Sequence, residues 1–194
     1  SVRTTDFALM GNLGVPVLAF SGGNQRTVRD TMALPVIPFP PDSADRGVYW
    51  RDASIDAPHN LFLSTRAVWD RVVGASAPTS PFANARPDGE MSVGDPVRQV
   101  AVRFSSATDS TFTWEPSSRT WTREQRGAVQ LDGSGRDLGF ENVLVLFTTY
   151  GISPYDAKSP EAHSTGFGAG LLLNGGRARP VVWARDNGFS PYTL

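Results

Sequence analysis

Apolar and polar positions in the first half of the chain follow a strand, helix, strand order. Val15 to Phe20 ("VPVLAF") is a nearly continuous apolar run, typical of a strand that is buried on both faces. Asn24 can cap the following segment "QRTVRDTMA", whose apolar residues recur at helical spacing. Val36 to Phe39 then resumes an extended apolar path. Because such an order joins parallel strands, the pattern predicts an α/β unit.

Two more short helices and one strand are predicted around this unit. "TTDFALMGNLG" begins with a threonine cap and carries Asp6 in its first turn, and glycines end it. "VYW" is typical of a brief strand. Ser64 or Thr65 can cap the helix "RAVWDRVVG", whose Val68, Trp69 and Val72 we expect to face inward.

The second half of the chain changes to the alternation that is typical of half-buried strands. "VRQVAVRFS" alternates apolar and polar residues, and "STFTWEPSSRTWTRE" reads as a hairpin around a proline-containing turn. "NVLVLFTTY" predicts a buried central strand, and "GFGAGLLLNGGRARPVVWAR" a hairpin that turns at Asn174 to Gly176. These patterns indicate antiparallel structure.

Together the patterns predict the α+β class, with an α/β N-terminal portion that contains a mixed sheet, followed by an antiparallel β-rich portion. The predicted boundaries are 1–75 for the α/β portion, 76–96 for a connector rich in small residues and proline, and 97–194 for the β-rich domain.

Composition and charge exclude several classes of function. A net charge of -1 and a charged fraction of 19% leave no field that would draw the chain to nucleic acid, so we expect no nucleic-acid partner. The chain contains no cysteine, which excludes disulfides, thiolate metal sites and cysteine nucleophiles. With only two histidines in addition, we expect no metal site and no cofactor.

The turn Ser21, Gly22, Gly23, Asn24 is a candidate ligand-binding site. Backbone N–H groups at a helix start lack partners, and glycines let a ligand approach the main chain closely. The stretch lacks the lysine of a P-loop and the spacing of a dinucleotide-binding loop. The alternative is a plain strand-to-helix turn that Asn24 caps.

The segment "YWRDASIDAPHN" holds the candidate catalytic residues. Asp52 and His59 could act as base and acid, while Arg51 could hold a carboxylate or phosphate in a bidentate manner. Asn60 completes the predicted binding face. The alternative is a hydrogen-bonded loop that orders the chain before the Ser64 cap.

Arg3 and Asp6 near the first helix start are further candidates. Arg3 could bind an anion near the Gly-Gly turn, or the two residues could form an ion pair at the helix terminus. Trp114, Trp121 and Trp183 lie on predicted strands, where they could stack on sugar rings or pack across the strands.

The order of these motifs resembles the YerB-like lipoproteins of bacteria, whose domains have no assigned function. The resemblance spans nearly the whole chain and rests on five stretches: "SVRTTDFALM", "LAFSGGN", "YWRDASIDAPHNLFLST", "FTWEPSSRTWTREQRGAVQLDGSGRDLGFENVLVLF" and "GFGAGLLLNGGRARPVVWAR". It implies an extracytoplasmic protein that is held by a lipidated N-terminal cysteine or is secreted. It further implies that the chain lacks the family's signal and anchor region, so that 1–75 is the end of a larger N-terminal domain.

The sequence therefore predicts an extracytoplasmic cell-envelope protein that binds an envelope polymer or an envelope protein without turnover. Contact with a membrane is expected only through the lipid anchor that the resemblance implies. The alternative is an envelope hydrolase or transferase that acts on a glycan or a phosphodiester, with Asp52 or His59 as the acid-base group.

Overall fold

Strands predominate in the structure, a computed structural model that describes residues 4–41, 47–82, 93–106 and 108–194. Three short helices occur among these residues: α1 (Thr4–Met10), α2 (Gln25–Thr31) and α3 (Thr65–Trp69). The strands are β1 (Val17–Ala19), β2 (Ile37–Phe39), β3 (Tyr49–Arg51), β4 (Leu61–Leu63), β5 (Asp95–Pro96), β6 (Gln99–Arg103), β7 (Asp109–Glu115), β8 (Thr120–Gln125), β9 (Ala128–Val129), β10 (Gly139–Phe140), β11 (Asn142–Leu146), β12 (Tyr150–Ser153), β13 (Asp156–Ala162), β14 (Gly166–Asn174) and β15 (Arg177–Arg185).

Side-chain caps begin two of the helices. The Asn24 side chain accepts a hydrogen bond from the backbone N–H of Arg26 at 2.9 Å, where α2 starts. The Ser64 hydroxyl accepts one from the N–H of Ala67 at 3.1 Å, where α3 starts. Both caps were predicted from the sequence and are confirmed. The inward face predicted for Trp69 is wrong, because α3 is a single short turn and leaves that side chain 67% exposed.

The predicted α+β class, with an α/β N-terminal portion, is wrong. β1 and β2 are paired in parallel around α2, but each strand has only three residues and no further strand joins them in the described chain. Proline explains why this pair is so short. Pro16 precedes β1, Pro38 lies within β2 and Pro40 follows it, and none can donate a backbone hydrogen bond to a ladder. β3 and β4 form a separate antiparallel hairpin.

Two antiparallel sheets account for most of the remaining strands. One has the order β10-β8-β7-β6, with β9 also paired to β8, and the other has the order β11-β14-β15-β5. β12 and β13 form a hairpin of their own. β11 lies at a sheet edge, so the prediction of a central strand for "NVLVLFTTY" is wrong. Its apolar residues are only partly buried, and this degree of burial does not require a neighbouring strand on both sides.

The chain forms two compact units, and the first is assembled from three segments: 1–83, 149–166 and 185–193. Its core contains the buried side chains of Phe39, Val48 and Val68. The sequence-based boundaries at 75/76 and 96/97 remain predictions. No helix among the described residues has the length and apolar character needed to cross a lipid bilayer.

The second unit consists of 84–148, 167–184 and Leu194. Trp121 and Trp183 are almost completely buried in it, and Trp114 packs against Trp121 across the β7–β8 pair with ring centroids 5.3 Å apart. These three tryptophans therefore serve packing, and they do not form an exposed row that could stack on sugars.

The guanidinium group of Arg185 is buried and joins separate segments of the first unit. Its Nε donates to the carbonyl oxygen of Ser190 at 2.8 Å, and Nη2 donates to the carbonyl oxygens of Gly188, at 2.8 Å, and Ala8. The group also lies over the Tyr192 ring, 4.7 Å from its centroid. Arg185 thus holds the segment 185–193 against α1.

Arg185→Met is expected to lower the free energy of unfolding of the first unit by about 3 kcal/mol, because three partly buried carbonyl oxygens lose their donor. Urea denaturation gives the stability, and hydrogen exchange of 4–13 and 185–193 locates the loss. Arg66→Met is the control, since Arg66 forms an exposed ion pair on α3 and should change stability by no more than about 0.5 kcal/mol. Equal protection of both segments in the variant and the wild-type protein would contradict this role.

Gly168→Ala is expected to destabilise the second unit by about 2 kcal/mol, because a Cβ at this position would lie 2.8 Å from Trp183 Nε1 and 2.9 Å from the carbonyl oxygen of Phe147. The matched control is Gly133→Ala, where a Cβ would meet no atom within 4 Å. Thermal unfolding of both variants checks the difference. A similar loss in the two proteins would contradict overpacking at Gly168, because alanine at the open Gly133 position lowers the entropy of the unfolded chain and should not destabilise the protein.

A candidate binding cleft

An open cleft of about 700 Å³ lies in the first unit. Three parts of the chain form most of its walls: the turn Ser21–Gly23, the side chains of α2 around Arg29, and strand β3 from Tyr49 to Arg51. The structure therefore brings together two stretches that the sequence singled out, the Gly-Gly turn and Arg51. Their role in binding remains a prediction.

The Gly-Gly turn connects β1 to α2. Gly22 has φ +136, a backbone conformation that residues with a side chain rarely adopt, and a Cβ there would meet nothing within 4 Å. The turn is therefore open on the side where a side chain would lie. At the start of α2, however, the Asn24 side chain already accepts a hydrogen bond from the N–H of Arg26, so this donor is not available to an anion. This favours the interpretation of a capped turn over that of an anion site made by α2 itself.

Arg51 is held in place by a buried amide. Its Nη1 donates to Oδ1 of Asn60 at 2.7 Å, and Asn60 is only 9% exposed. The backbone of Asn60 also accepts from the N–H of Asp52 at 2.9 Å, which extends the β3–β4 pairing by one hydrogen bond. No carboxylate pairs with Arg51 among the described residues. Asn60 is thus a positioning residue for an arginine whose charge is not neutralised.

The predicted acid-base pair does not assemble in the cleft. The carboxylate of Asp52 accepts from the N–H of Ser54 at 2.8 Å and from its hydroxyl at 2.6 Å, and these bonds lower the pKa of Asp52, the hydroxyl contributing most. His59 is exposed, and within the described part of the chain no hydrogen bond or ion pair joins its side chain to Asp52. Neither residue lines the cleft. The hydrogen-bonded loop therefore accounts for Asp52.

The two remaining candidates are Arg3 and Asp6. Arg3 lies outside the described residues. Asp6 lies in the first turn of α1, and no residue of that helix lines the cleft. Among the residues that the structure describes, no three His, Cys, Asp or Glu side chains lie close enough to hold a metal ion.

Arg29 and Trp50 are cleft residues that were not identified from the sequence. Arg29 lies in the last turn of α2 beside Asp30, with Nε 3.0 Å from the Asp30 carboxylate. Trp50 is half exposed and stacks on Phe62 of β4, with ring centroids 6.0 Å apart. The signal for Trp50 was present, since an aromatic residue precedes Arg51 in a short strand. Three residues are too few to predict which face of that strand is buried.

The Arg29 side chain belongs to a polar cluster that also contains Arg26, Asp30 and Tyr155. The Tyr155 hydroxyl is hydrogen bonded to Asp30, which lowers the pKa of Asp30 and raises the pKa of Tyr155. Arg26 lies over the Tyr155 ring at 4.6 Å from its centroid. Asp30 therefore links Arg29 to a residue of the segment 149–166, and the ionised carboxylate orients the Arg29 guanidinium group.

The charge of the cleft follows from these contacts. Two guanidinium groups, those of Arg29 and Arg51, line it, and no aspartate or glutamate is found among its described lining residues. Asp30 pairs with Arg29 from beside the cleft, so Arg51 carries the charge that no carboxylate balances in the described chain. Apolar surface from Phe20, Tyr49 and Trp50 lies beside them. A cleft of this kind can accept a negatively charged group together with a flat apolar surface.

Parts of this chain are similar to known proteins. Residues 100–194 match the family described as "protein of unknown function (DUF3048) C-terminal domain". The crystal structure of the YerB protein from Bacillus subtilis matches with a TM-score of 0.74 at 15% identity, over 99% of this chain and 69% of that chain. No curated protein matches the sequence. At this identity the structural likeness shows a shared fold and assigns no activity.

Ser54→Ala is expected to raise the pKa of Asp52 toward its ordinary value of 3.8, because the hydroxyl hydrogen bond is the largest cause of the lowering. Carbon-13 NMR titration of the side-chain carboxyl groups measures the change. Since the folded pKa is below 3.8, the contribution of this turn to stability is present above pH 3.8 and is lost as pH falls through the folded value.

Ser54→Thr keeps the hydroxyl and serves as the control, with an Asp52 titration close to that of the wild-type protein. An unchanged pKa in Ser54→Ala would contradict the leading contribution of the hydroxyl and would leave the backbone N–H of Ser54 as the group that keeps the pKa of Asp52 low.

Proposed function

We propose a function from the geometry of the cleft, because the similar domains have no known activity. The match to a YerB-like domain of unknown function confirms the family resemblance seen in the motifs. The chain is a cell-envelope protein that lies outside the cytoplasm and binds an envelope polymer or an envelope protein without turnover. Its binding surface is the cleft between the Gly-Gly turn and Arg51.

The observation that carries this proposal is the state of Arg51. A buried Asn60 holds the guanidinium group at the cleft, while no carboxylate in the described chain neutralises it. An isolated surface arginine would gain little from being fixed, because fixing costs side-chain entropy. A fixed cation on a concave surface with apolar walls is the arrangement that ligand sites use.

Binding without turnover is favoured over hydrolysis by the position of the acidic groups. General acid-base catalysis needs titratable groups within hydrogen-bond reach of the reacting atoms. None of Asp6, Asp52 and His59 lines the cleft, and Asp52 is engaged by Ser54. The location outside the cytoplasm is supported by the resemblance to YerB-like lipoproteins, which also suggests a lipid anchor for the gene product.

The test of binding is co-sedimentation with cell envelopes isolated from the organism that carries the gene. We expect the wild-type protein to be retained and Arg51→Gln to be retained about tenfold less well, because a charge-assisted hydrogen bond contributes about 1.5–3 kcal/mol. Arg66→Gln is the matched control, since Arg66 lies in the same unit and outside the cleft. Protease accessibility of the gene product in intact cells tests its location.

Retention that does not differ between Arg51→Gln and Arg66→Gln would remove the cleft as the binding surface. A gene product that proteases reach only after the cells are lysed would remove the envelope role.

A further inference from the structure

We propose that the cleft binds an anionic glycan, with a sugar ring stacked on Trp50 and a phosphate or carboxylate of the same polymer held by Arg29 and Arg51. This rests on the proposed function, for which it names the class of ligand.

Trp50 provides a flat surface that is fixed before any ligand arrives. It is paired with Phe62 across the β3–β4 hairpin, and the two rings stack with an interplanar angle of 21°. Half of the Trp50 side chain nevertheless remains exposed, at the wall of the cleft. The apolar C–H face of a sugar ring packs on such an indole surface, and little entropy is lost because the ring is already held.

The two arginines retain donors that their internal contacts do not use. Arg51 commits Nη1 to Asn60, and Arg29 commits Nε to Asp30. A guanidinium group has five N–H donors in a planar fork, so each residue keeps several for a ligand. This fork matches the oxygen pairs of a carboxylate or a phosphate, which are the anionic groups that glycans carry.

The Gly-Gly turn leaves open space at the wall of the cleft. Gly22 has open space where a side chain would lie, and Ser21 beside it is exposed at the cleft wall. The openness of the cleft also suits a chain that enters and leaves, since a small molecule is usually bound in a more enclosed site.

Other ligand classes use only part of this surface. A neutral glycan leaves the Arg51 guanidinium group without an anion, and an anion without a ring leaves the Trp50 face unused. Single-stranded nucleic acid has both rings and phosphates, but the net charge of -1 gives the chain no general attraction for a polyanion of that charge density. The anionic glycan is the class that uses every feature.

The experiment is calorimetric titration with five probes: oligogalacturonate as a carboxylated glycan, phosphomannan as a phosphorylated one, a malto-oligosaccharide of similar length, polyphosphate, and oligo(dT). We expect one or both anionic glycans to bind about tenfold more tightly than the other three probes. Their affinity should fall by about tenfold in Trp50→Ala and in Arg51→Gln. It should also fall when salt rises from about 50 to 300 mM, because exposed charges are screened.

Two exposed residues of the same unit supply matched controls. Trp69 and Arg66 lie on α3 outside the cleft, so Trp69→Ala and Arg66→Gln should keep the wild-type affinity within about twofold. Trp50→Phe keeps an aromatic face and should recover part of the loss. This separates stacking from misfolding, which circular dichroism of each variant also checks.

Tight binding of the malto-oligosaccharide, or polyphosphate or oligo(dT) binding as tightly as the glycans, would overturn the proposed ligand class. So would glycan binding that is unchanged in Trp50→Ala. If neither anionic glycan binds while envelope retention still depends on Arg51, the ligand class is wrong and the envelope-binding role stands. If retention is also independent of Arg51, both proposals fail.

Discussion

The first unit depends on a positive charge that is buried away from water, the guanidinium group of Arg185. Arg185 is 2% exposed, and among the described residues its partners are carbonyl oxygens, a hydroxyl and an aromatic face rather than a carboxylate. Burying a guanidinium group costs several kcal/mol unless nearly all its N–H donors are satisfied. The backbone around Gly188 and Ser190 must therefore keep its conformation, and α1 must stay close enough for Ala8 to accept.

Local signals in the sequence were enough to locate several elements. Asn24 and Ser64 each precede a helical pattern, and both cap a helix in the structure, because capping depends on only three or four consecutive residues. The hairpin that pairs Trp114 with Trp121 likewise follows from a short alternating stretch around a proline-containing turn. What these signals share is that the interacting groups are close in the chain.

Long-range arrangement could not be read in the same way. A strand, helix, strand order predicts parallel pairing, but it does not say how many strands will join, and here prolines limit the ladder to three residue pairs. The apolar run of β11 is compatible with a central or an edge position, since periodicity reports burial and not neighbours. The cleft shows the same limit. Arg51 was identified because its sequence neighbours suggest chemistry, whereas Arg29 becomes notable only when α2 and β3 are known to face one cleft.

The composition of the first unit also determines when it can form during synthesis. Its segments are separated by the residues of the second unit, and the last of them, 185–193, contains the buried arginine and two of its three carbonyl acceptors. A nascent chain that has emerged only as far as β4 lacks the contacts that complete this unit. Folding of the cleft-bearing half is therefore delayed until nearly the whole chain has been translated, and its apolar surfaces stay unprotected for longer than those of a unit built from one continuous segment.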